Sequence, residues 1–145
     1  MKKKTSLLTL LFLTILFSRN LHAQFGFSYH ESALPFVGIN YEAGNRLLTE
    51  FRLSTNIYLG DLAIEGIAAL KLGRSEELDP YVGLGIRLAP DEDESAIVIP
   101  VGINVYPFPR KTFGFHLEFT PLIRGEDFGN NIIRGSWGVR YRFEK

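Results

Sequence analysis

The chain of 145 residues contains no cysteine. This absence excludes disulfide-stapled scaffolds, cysteine-ligated zinc, iron–sulfur clusters, thiol catalysis and a lipidated N-terminal cysteine. The 16 basic and 16 acidic side chains leave no net charge, which argues against a dedicated nucleic-acid-binding protein. Beyond the N-terminal segment, no apolar run reaches the roughly 20 residues that a transmembrane helix needs. No segment shows a capped apolar pattern of period 3.6 either, so the sequence does not indicate a helical protein.

The first residues have the features of a secretory signal peptide. Lys2, Lys3 and Lys4 form a basic start, Leu7–Phe17 is apolar apart from two threonines, and Ala23 is a small residue suited to a cleavage site. We therefore expect residues 1–23 to be removed and residues 24–145 to form one domain. The remaining chain would hold 12 basic and 16 acidic side chains, a net charge of about −4.

The rest of the sequence alternates between apolar and polar residues with period 2, which is typical of strands that are buried on one side. Short connections rich in turn-forming residues separate the alternating segments, and Gly60-Asp61 fits a two-residue hairpin turn. The pattern predicts an all-β fold, an eight-stranded antiparallel up-and-down barrel. The predicted strands cover residues 24–30, 35–42, 47–59, 62–72, 79–88, 95–106, 112–121 and 131–143.

Each predicted strand has one apolar and one polar face, and two opposite kinds of barrel have such strands. A soluble barrel turns the apolar face inward, whereas a transmembrane barrel turns it toward lipid. Three observations favour the transmembrane barrel. The polar faces mix glycine with charge, as the crowded lumen of an eight-stranded barrel requires. The apolar faces are long enough to cross the hydrocarbon layer, and aromatic residues cluster near one rim.

Charged residues of the polar faces are expected to pair with one another inside the barrel, because an unpaired buried charge is very costly. The predicted lumen charge network consists of Glu50, Arg52, Glu65, Lys71, Arg87, Glu118, Arg134, Arg140 and Arg142. Within it, the expected pairs join Arg134, Arg140 and Arg142 to Glu50, Glu65 and Glu118. Side chains would fill the lumen, so we expect no wide pore.

Outward-facing aromatic residues would gather at the rim that carries both chain termini, because the starts of odd strands and the ends of even strands share that side. This predicted aromatic girdle consists of Phe25, Tyr41, Phe113, Tyr141 and Phe143. Tyr29, Phe119 and Phe36 are expected at the opposite rim. The connections at that opposite rim hold eight acidic residues and one basic residue, Arg124.

Several segments together resemble small outer-membrane β-barrel proteins. They are Pro80–Leu88, Ile99–Pro107 and the closing Gly138–Phe143, taken with the N-terminal signal. The sequence is similar to the OmpA/OmpX-like eight-stranded barrel domains of Gram-negative envelopes. This resemblance implies a location in the outer membrane, contact with its lipid, and recognition of the last strand with Phe143 by the barrel-assembly machinery. It implies no particular activity and no surface partner, and we expect no peptidoglycan-binding domain after the last strand.

Two other functions fit the residues less well. A soluble lipocalin-like carrier of a small apolar ligand would have the same alternation with its faces inverted. A lipid-modifying barrel enzyme could use Ser28, His30, His116 and Glu118, but these residues are predicted to face the lumen, and no nucleophile-elbow motif is present. The acidic run 91–94 lacks the glycine and spacing of a calcium loop. We therefore predict no enzyme activity, no cofactor and no metal site, and a structural or surface-interaction role in the outer membrane.

Overall fold

The computed structural model describes residues 23–55, 62–73, 75, 77–90, 94–125 and 131–143. In these ranges the chain forms nine antiparallel strands, and no helix there is long and apolar enough to span a bilayer. The strands are β1 (Ala23–Glu31), β2 (Phe36–Ala43), β3 (Leu47–Ser54), β4 (Ile64–Lys71), β5 (Leu78–Ala89), β6 (Glu94–Val98), β7 (Val101–Val105), β8 (Phe113–Arg124) and β9 (Ile132–Arg142). Apart from Ala23, the predicted signal peptide lies outside the described residues.

The strands close into one barrel. Each of the first five strands pairs with the next along the chain, and β1 also pairs with β9, which brings the first and last strands together. Both β6 and β7 lie between β5 and β8, so they form two halves of a single arm. The sheet therefore has eight arms and no free edge, and the predicted eight-stranded antiparallel barrel is confirmed.

The interruption between β6 and β7 lies at Pro100, which has no N–H to donate to the ladder. Backbone hydrogen bonds still hold this point to both neighbours, from Ile99 to Pro121 at 3.1 Å and from Gly83 to Pro100 at 2.7 Å. The alternation also continues through the break, since Val98, Pro100 and Asn104 all face inward. The predicted strand over 95–106 is thus one arm with a local gap in its hydrogen bonding.

Some strand boundaries differ from the prediction. β3 ends at Ser54 instead of residue 59, and residues 56–60 lie outside the described part of the chain. β8 continues to Arg124, and β6 begins at Glu94, so the prediction that both residues belong to connections was wrong. Their side chains form an inward ion pair, with Arg124 Nε 2.8 Å from a Glu94 oxygen. This ion pair joins the neighbouring strands β6 and β8, so two charged residues that composition alone assigns to loops lie in strands.

The two faces of the barrel differ sharply in chemistry. Large apolar side chains are exposed on the outside of every strand, with Leu84 and Ile86 each 61% exposed. Charged and polar side chains alternate with them and point inward, where most are buried. Phe36 is an exception to the predicted faces, because it is only 1% exposed and packs inside against Ala63 and Ala89. Phe36 lies at the expected rim, opposite the termini, but the prediction that its side chain faces outward was wrong, since it has the inward phase of β2.

Candidate functional site: a charge-paired lumen within an apolar wall

Two arginines and two glutamates occupy the middle of the lumen. Arg52 Nη1 and Nη2 each lie 2.7 Å from a different oxygen of Glu118, a bidentate pair. Arg52 also reaches Glu50 at 2.9 Å, and Arg140 reaches the same Glu50 oxygen at 3.1 Å. All four side chains are at most 2% exposed. The charges balance, which is the condition under which buried ions are tolerated.

Neutral side chains complete this central cluster. Tyr81 and Thr120 each donate a hydroxyl hydrogen bond of 2.7 Å to Glu118. Ser28 donates to Glu50, and His30 Nε2 lies 2.9 Å from the same carboxylate oxygen. Arg140 donates to the Asn104 side-chain oxygen at 3.0 Å. Each central carboxylate therefore has several donors from different strands, and the cluster ties the opposite walls of the barrel together.

A second cluster lies toward the rim opposite the termini. Arg134 donates two hydrogen bonds to Glu65, of 2.6 and 2.9 Å, and Arg87 Nη1 lies 3.7 Å from Glu65 Oε1. Arg52 reaches this carboxylate too, at 3.7 Å, which links the second cluster to the central one. The guanidinium of Arg134 lies 4.9 Å from the centre of the Phe36 ring, a cation–π contact.

A third cluster closes the lumen at the rim that carries the termini. Glu42 pairs with Lys71 and with Arg142, the latter at 2.5 Å. Asp79 lies 3.5 Å from Arg142 and 3.1 Å from Lys111. Above these groups an open cleft of about 380 Å³ leads out of the barrel. Arg142 thus pairs with Glu42 and Asp79 and not with one of the three predicted glutamates.

All nine residues of the predicted lumen charge network point into the barrel, and each has at least one oppositely charged partner. Charge-paired side chains fill the interior, as the sequence analysis predicts. The predicted network leaves out three members of the third cluster, Glu42, Asp79 and Lys111. Asp79 shares the inward phase of β5 with Tyr81 and could have been found by that signal. Lys111 lies in a connection, where no alternation indicates its direction.

The lumen also contains an apolar cluster, which the sequence analysis did not predict. A buried cluster joins side chains from five strands, namely Leu48, Ile67, Ala69, Tyr81, Val98 and Leu122. These residues lie on the inward phase of their strands, together with charged neighbours such as Glu50 and Glu65. The apolar cluster and the charge clusters therefore share strands, and inward positions of one strand contribute to both.

Glycine makes room for large side chains in this lumen. Gly102 lies opposite Tyr81 in the ladder, and a Cβ at Gly102 would come within 2.7 Å of the tyrosine hydroxyl. A Cβ at Gly138 would lie only 1.7 Å from the backbone oxygen of Tyr29 and 2.8 Å from the His116 ring. At both positions the close approach of a neighbour requires the absence of a side chain.

The residues considered for catalysis do not form a catalytic arrangement. Ser28 gives its hydroxyl hydrogen bond to Glu50, and Glu118 is bonded to Arg52, Tyr81 and Thr120. The rings of His30 and His116 stack with their centroids 4.1 Å apart in the buried interior. In the described ranges, no three histidine or carboxylate side chains come together as metal ligands. Of the acidic run 91–94, only Glu94 is described, and it pairs with Arg124.

The five residues of the predicted aromatic girdle lie on four neighbouring arms. Phe25 lies opposite Tyr41 between β1 and β2, with ring centroids 4.9 Å apart, and Phe113 lies opposite Tyr141 between β8 and β9. The Phe143 ring is 5.2 Å from that of Tyr141. They form an arc over one half of the barrel wall, and the other half of this rim exposes leucine side chains at positions 47, 70, 72 and 78.

Comparison with known proteins gives matches of fold only. No family model matches the chain, and no curated protein matches it in sequence. The N-terminal β-barrel domain of Pseudomonas aeruginosa OprF aligns with a TM-score of 0.59 at 13% identity, over 83% of this chain and 96% of that one. A de novo designed transmembrane β-barrel has a TM-score of 0.59 at 12% identity, covering 83% and 94% of the two chains. The Yersinia pestis outer membrane protein Ail, determined in a phospholipid bilayer nanodisc, has a TM-score of 0.53 at 12% identity, covering 86% and 100%.

The chain therefore has the fold of the small eight-stranded outer-membrane barrels, and the predicted resemblance to the OmpA/OmpX-like type is confirmed for the fold. Its apolar face is exposed and its polar face is enclosed, which is the opposite of a lipocalin-like soluble barrel. The site that this fold defines is a charge-paired interior within an outer wall of exposed apolar side chains.

Proposed function

We propose that this protein is an integral β-barrel of a Gram-negative outer membrane with a structural or surface-interaction role. The observation that carries the proposal is the inverted barrel. Exposed apolar side chains cover every arm, whereas soluble monomers rarely expose apolar patches larger than a few hundred Å². Burial of this surface in hydrocarbon removes it from water, and the closed sheet leaves no unpaired strand edge in lipid.

The same proposal assigns its partners. Outer-membrane lipid covers the apolar wall, and the barrel-assembly machinery inserts the chain by recognising β9 and the aromatic residue that follows it. In support, β9 closes the barrel against β1, and the ring of Phe143 is exposed beside Phe27 at 5.6 Å. A nucleic-acid partner is not proposed, because the basic side chains of the lumen are engaged in ion pairs.

We do not assign catalysis or a wide pore to this barrel. Ser28, His30 and His116 are at most 5% exposed and lie inside the lumen, away from any lipid substrate. The three charge clusters occupy the interior from one rim to the other. An eight-stranded barrel has room inside for side chains but not for an aqueous channel.

The test of this proposal is membrane fractionation, followed by electrophoresis of unboiled and boiled samples. We expect the protein in the outer-membrane fraction, with a mobility that shifts on boiling because a closed barrel resists detergent. A soluble protein without a mobility shift would contradict the proposal. The intact mass of the same sample tests the predicted cleavage, since the mature chain should begin at Gln24.

A further inference from the structure

The outer wall has a cleft at the rim that carries the termini. It lies beside the turn between β2 and β3, has a volume of about 430 Å³, and is lined by Arg46, Leu70, Lys71, Leu72 and Gly73. Leu70 and Leu72 are 56% and 66% exposed, so their side chains point outward. The Lys71 ammonium points the other way and pairs with Glu42 inside the lumen. Among the residues that the structure describes, the cleft therefore combines an apolar surface with one available cation, Arg46.

The backbone of Arg46 is fixed at this place, and its side chain has no carboxylate partner in the described part of the chain. Its backbone oxygen accepts a hydrogen bond of 2.8 Å from Lys71, which fixes the turn against β4. Its side chain is exposed, and no ion pair or hydrogen bond joins its guanidinium to any described residue. By contrast, the guanidinium groups of the lumen are paired with carboxylates, and so is that of Arg124, which faces inward beside Glu94. An exposed, unpaired guanidinium at the edge of an apolar wall is complementary to an anionic phosphate group.

A second depression lies farther along the same two strands, β3 and β4, toward the middle of the barrel. It has a volume of about 380 Å³ and lies between Tyr41 and Phe51, over Thr49 and Gly66. Thr49 lies next to Ala68 in the ladder, and Phe51 lies next to Gly66. A side chain at Gly66 would meet nothing within 4 Å, so the depression is open to the outside. Its exposed surface is mainly apolar.

The separation between Arg46 and the depression at Gly66 matches the depth of one leaflet of a bilayer. Five residues separate Arg46 from the Phe51–Gly66 pair, which is about 17 Å along a strand at about 3.3 Å per residue. With a strand tilt of about 40°, this corresponds to a depth of about 13 Å. Half of the roughly 30 Å hydrocarbon layer is about 15 Å. A group bound at Arg46 would thus lie at the interface, and Gly66 would lie near the bilayer midplane.

We propose that this strip of wall is a binding site for one anionic diacyl phospholipid of the leaflet at the termini-bearing rim. Its phosphate binds the Arg46 guanidinium, and one acyl chain lies over Leu70 and Leu72 and in the depression above Thr49 and Gly66. The proposal rests on the proposed function, since the lipid reaches the site only if the barrel is in a membrane. It goes beyond that function, which implies only general contact between the barrel wall and lipid, because it assigns one lipid molecule to one site.

Native mass spectrometry of the folded protein in a zwitterionic detergent, titrated with phosphatidylglycerol, tests the site. We expect one phosphatidylglycerol molecule to be retained in preference to phosphatidylcholine with the same acyl chains. R46Q should weaken phosphatidylglycerol binding about fivefold, the loss expected for one basic residue at a membrane surface. G66L should weaken binding of both lipids by filling the depression, and T49L narrows the same space if G66L does not fold.

Two matched variants serve as controls. Gly135 is also an outward glycine, in a smaller depression of about 200 Å³ on β9, so G135L should leave phosphatidylglycerol binding unchanged. R110Q removes an exposed basic residue at the same rim and should also have no effect. The folded state of each variant is checked by its mobility shift on boiling.

Three results would contradict the proposed site. The first is that phosphatidylglycerol binding is not saturable, and the second is that R46Q, G66L and T49L bind phosphatidylglycerol as the wild-type protein does. The third is that the headgroup glycerophosphoglycerol, which has no acyl chains, binds as well as the intact lipid. Flotation of the wild-type protein with phosphatidylglycerol vesicles separates this failure from that of the proposed function. A protein that floats but holds no preferred lipid contradicts the lipid site alone, and one that does not float contradicts the membrane location itself.

Discussion

Glu118 illustrates how single residues stabilise the lumen. It accepts hydrogen bonds from Arg52, Tyr81 and Thr120, which come from β3, β5 and β8. A carboxylate with this many donors offsets the cost of its own burial. The burial of Arg52 in turn depends on Glu118. Without this negative charge, the Arg52 guanidinium would remain buried with fewer counter-charges.

We predict that E118Q lowers the free energy of unfolding by about 3 kcal/mol, since breaking a buried ion pair strands its partner. Urea unfolding of the barrel in lipid vesicles measures this change. Glu77 is an exposed rim residue, so E77Q provides the control and should change stability by less than about 0.5 kcal/mol. The double variant R52M/E118Q should lose less than the sum of the two single variants. Additive losses would show that the two side chains act independently.

A second prediction at the residue scale concerns the inward glycine at position 138. A Cβ there would lie 1.7 Å from the Tyr29 backbone oxygen, so G138A should destabilise the barrel by about 3 kcal/mol or more. G66A is the matched control, because the outward glycine has open space and the substitution also restricts the unfolded chain. It should be neutral or stabilising by up to about 1 kcal/mol. Equal effects in the urea unfolding of the two variants would contradict the packing argument.

At the scale of the strand, alternation separates outward-facing from lumen-facing positions along each arm. β5 shows this clearly, because its outward residues Leu84, Ile86 and Leu88 alternate with the inward residues Gly85 and Arg87. The alternation survives the gap at Pro100, because neighbouring arms keep the register through hydrogen bonds on both sides. An arm of the barrel is thus defined by its neighbours as well as by its own hydrogen bonding.

The position of a residue along its strand decides how much a charged substitution on the outer face lowers the free energy of unfolding. Leu84 lies within β5, whereas Leu72 follows the end of β4 at the rim. We predict that L84R destabilises the membrane-inserted barrel by about 2–4 kcal/mol and that L72R costs about 0–1 kcal/mol. Unfolding in vesicles measures both. A larger loss for L72R than for L84R would place the hydrocarbon layer elsewhere on the barrel.

For the whole molecule, closure is the decisive feature. The pairing of β1 with β9 removes both sheet edges, so every arm has a neighbour on each side. This is a requirement for strands in hydrocarbon, where no water can satisfy free backbone groups. Closure also confines the charged side chains to one enclosed space, and their mutual pairing depends on it.

We predict that the closed, filled barrel does not conduct solutes of the size of a fluorescent dye. Vesicles that contain the reconstituted protein should retain an entrapped dye as long as protein-free vesicles do, because three clusters of paired side chains obstruct the lumen. A porin reconstituted in parallel provides the positive control. Rapid dye release by the folded protein would contradict a sealed interior.

Much of this architecture could be predicted from the sequence because a period of 2 is a local property of a strand. The inward direction of Glu50, Arg52 and Arg140 follows from it directly. Connections carry no such period, which is why Glu94 and Arg124 were placed in loops and Lys111 was overlooked. The partner of Arg142 also could not be predicted, since the choice between Glu42 and the other glutamates depends on the stagger of the arms.

The sequence by itself determined the class of the molecule, because alternation, glycine among charges and the lack of long apolar runs are all readable along the chain. Only the tertiary structure decided which charges meet, which glycines face a neighbour and where Arg46 lies relative to the apolar clefts. The physical reason is that each of these contacts joins different strands. Their distances are set by register and closure of the barrel, and no local pattern encodes those.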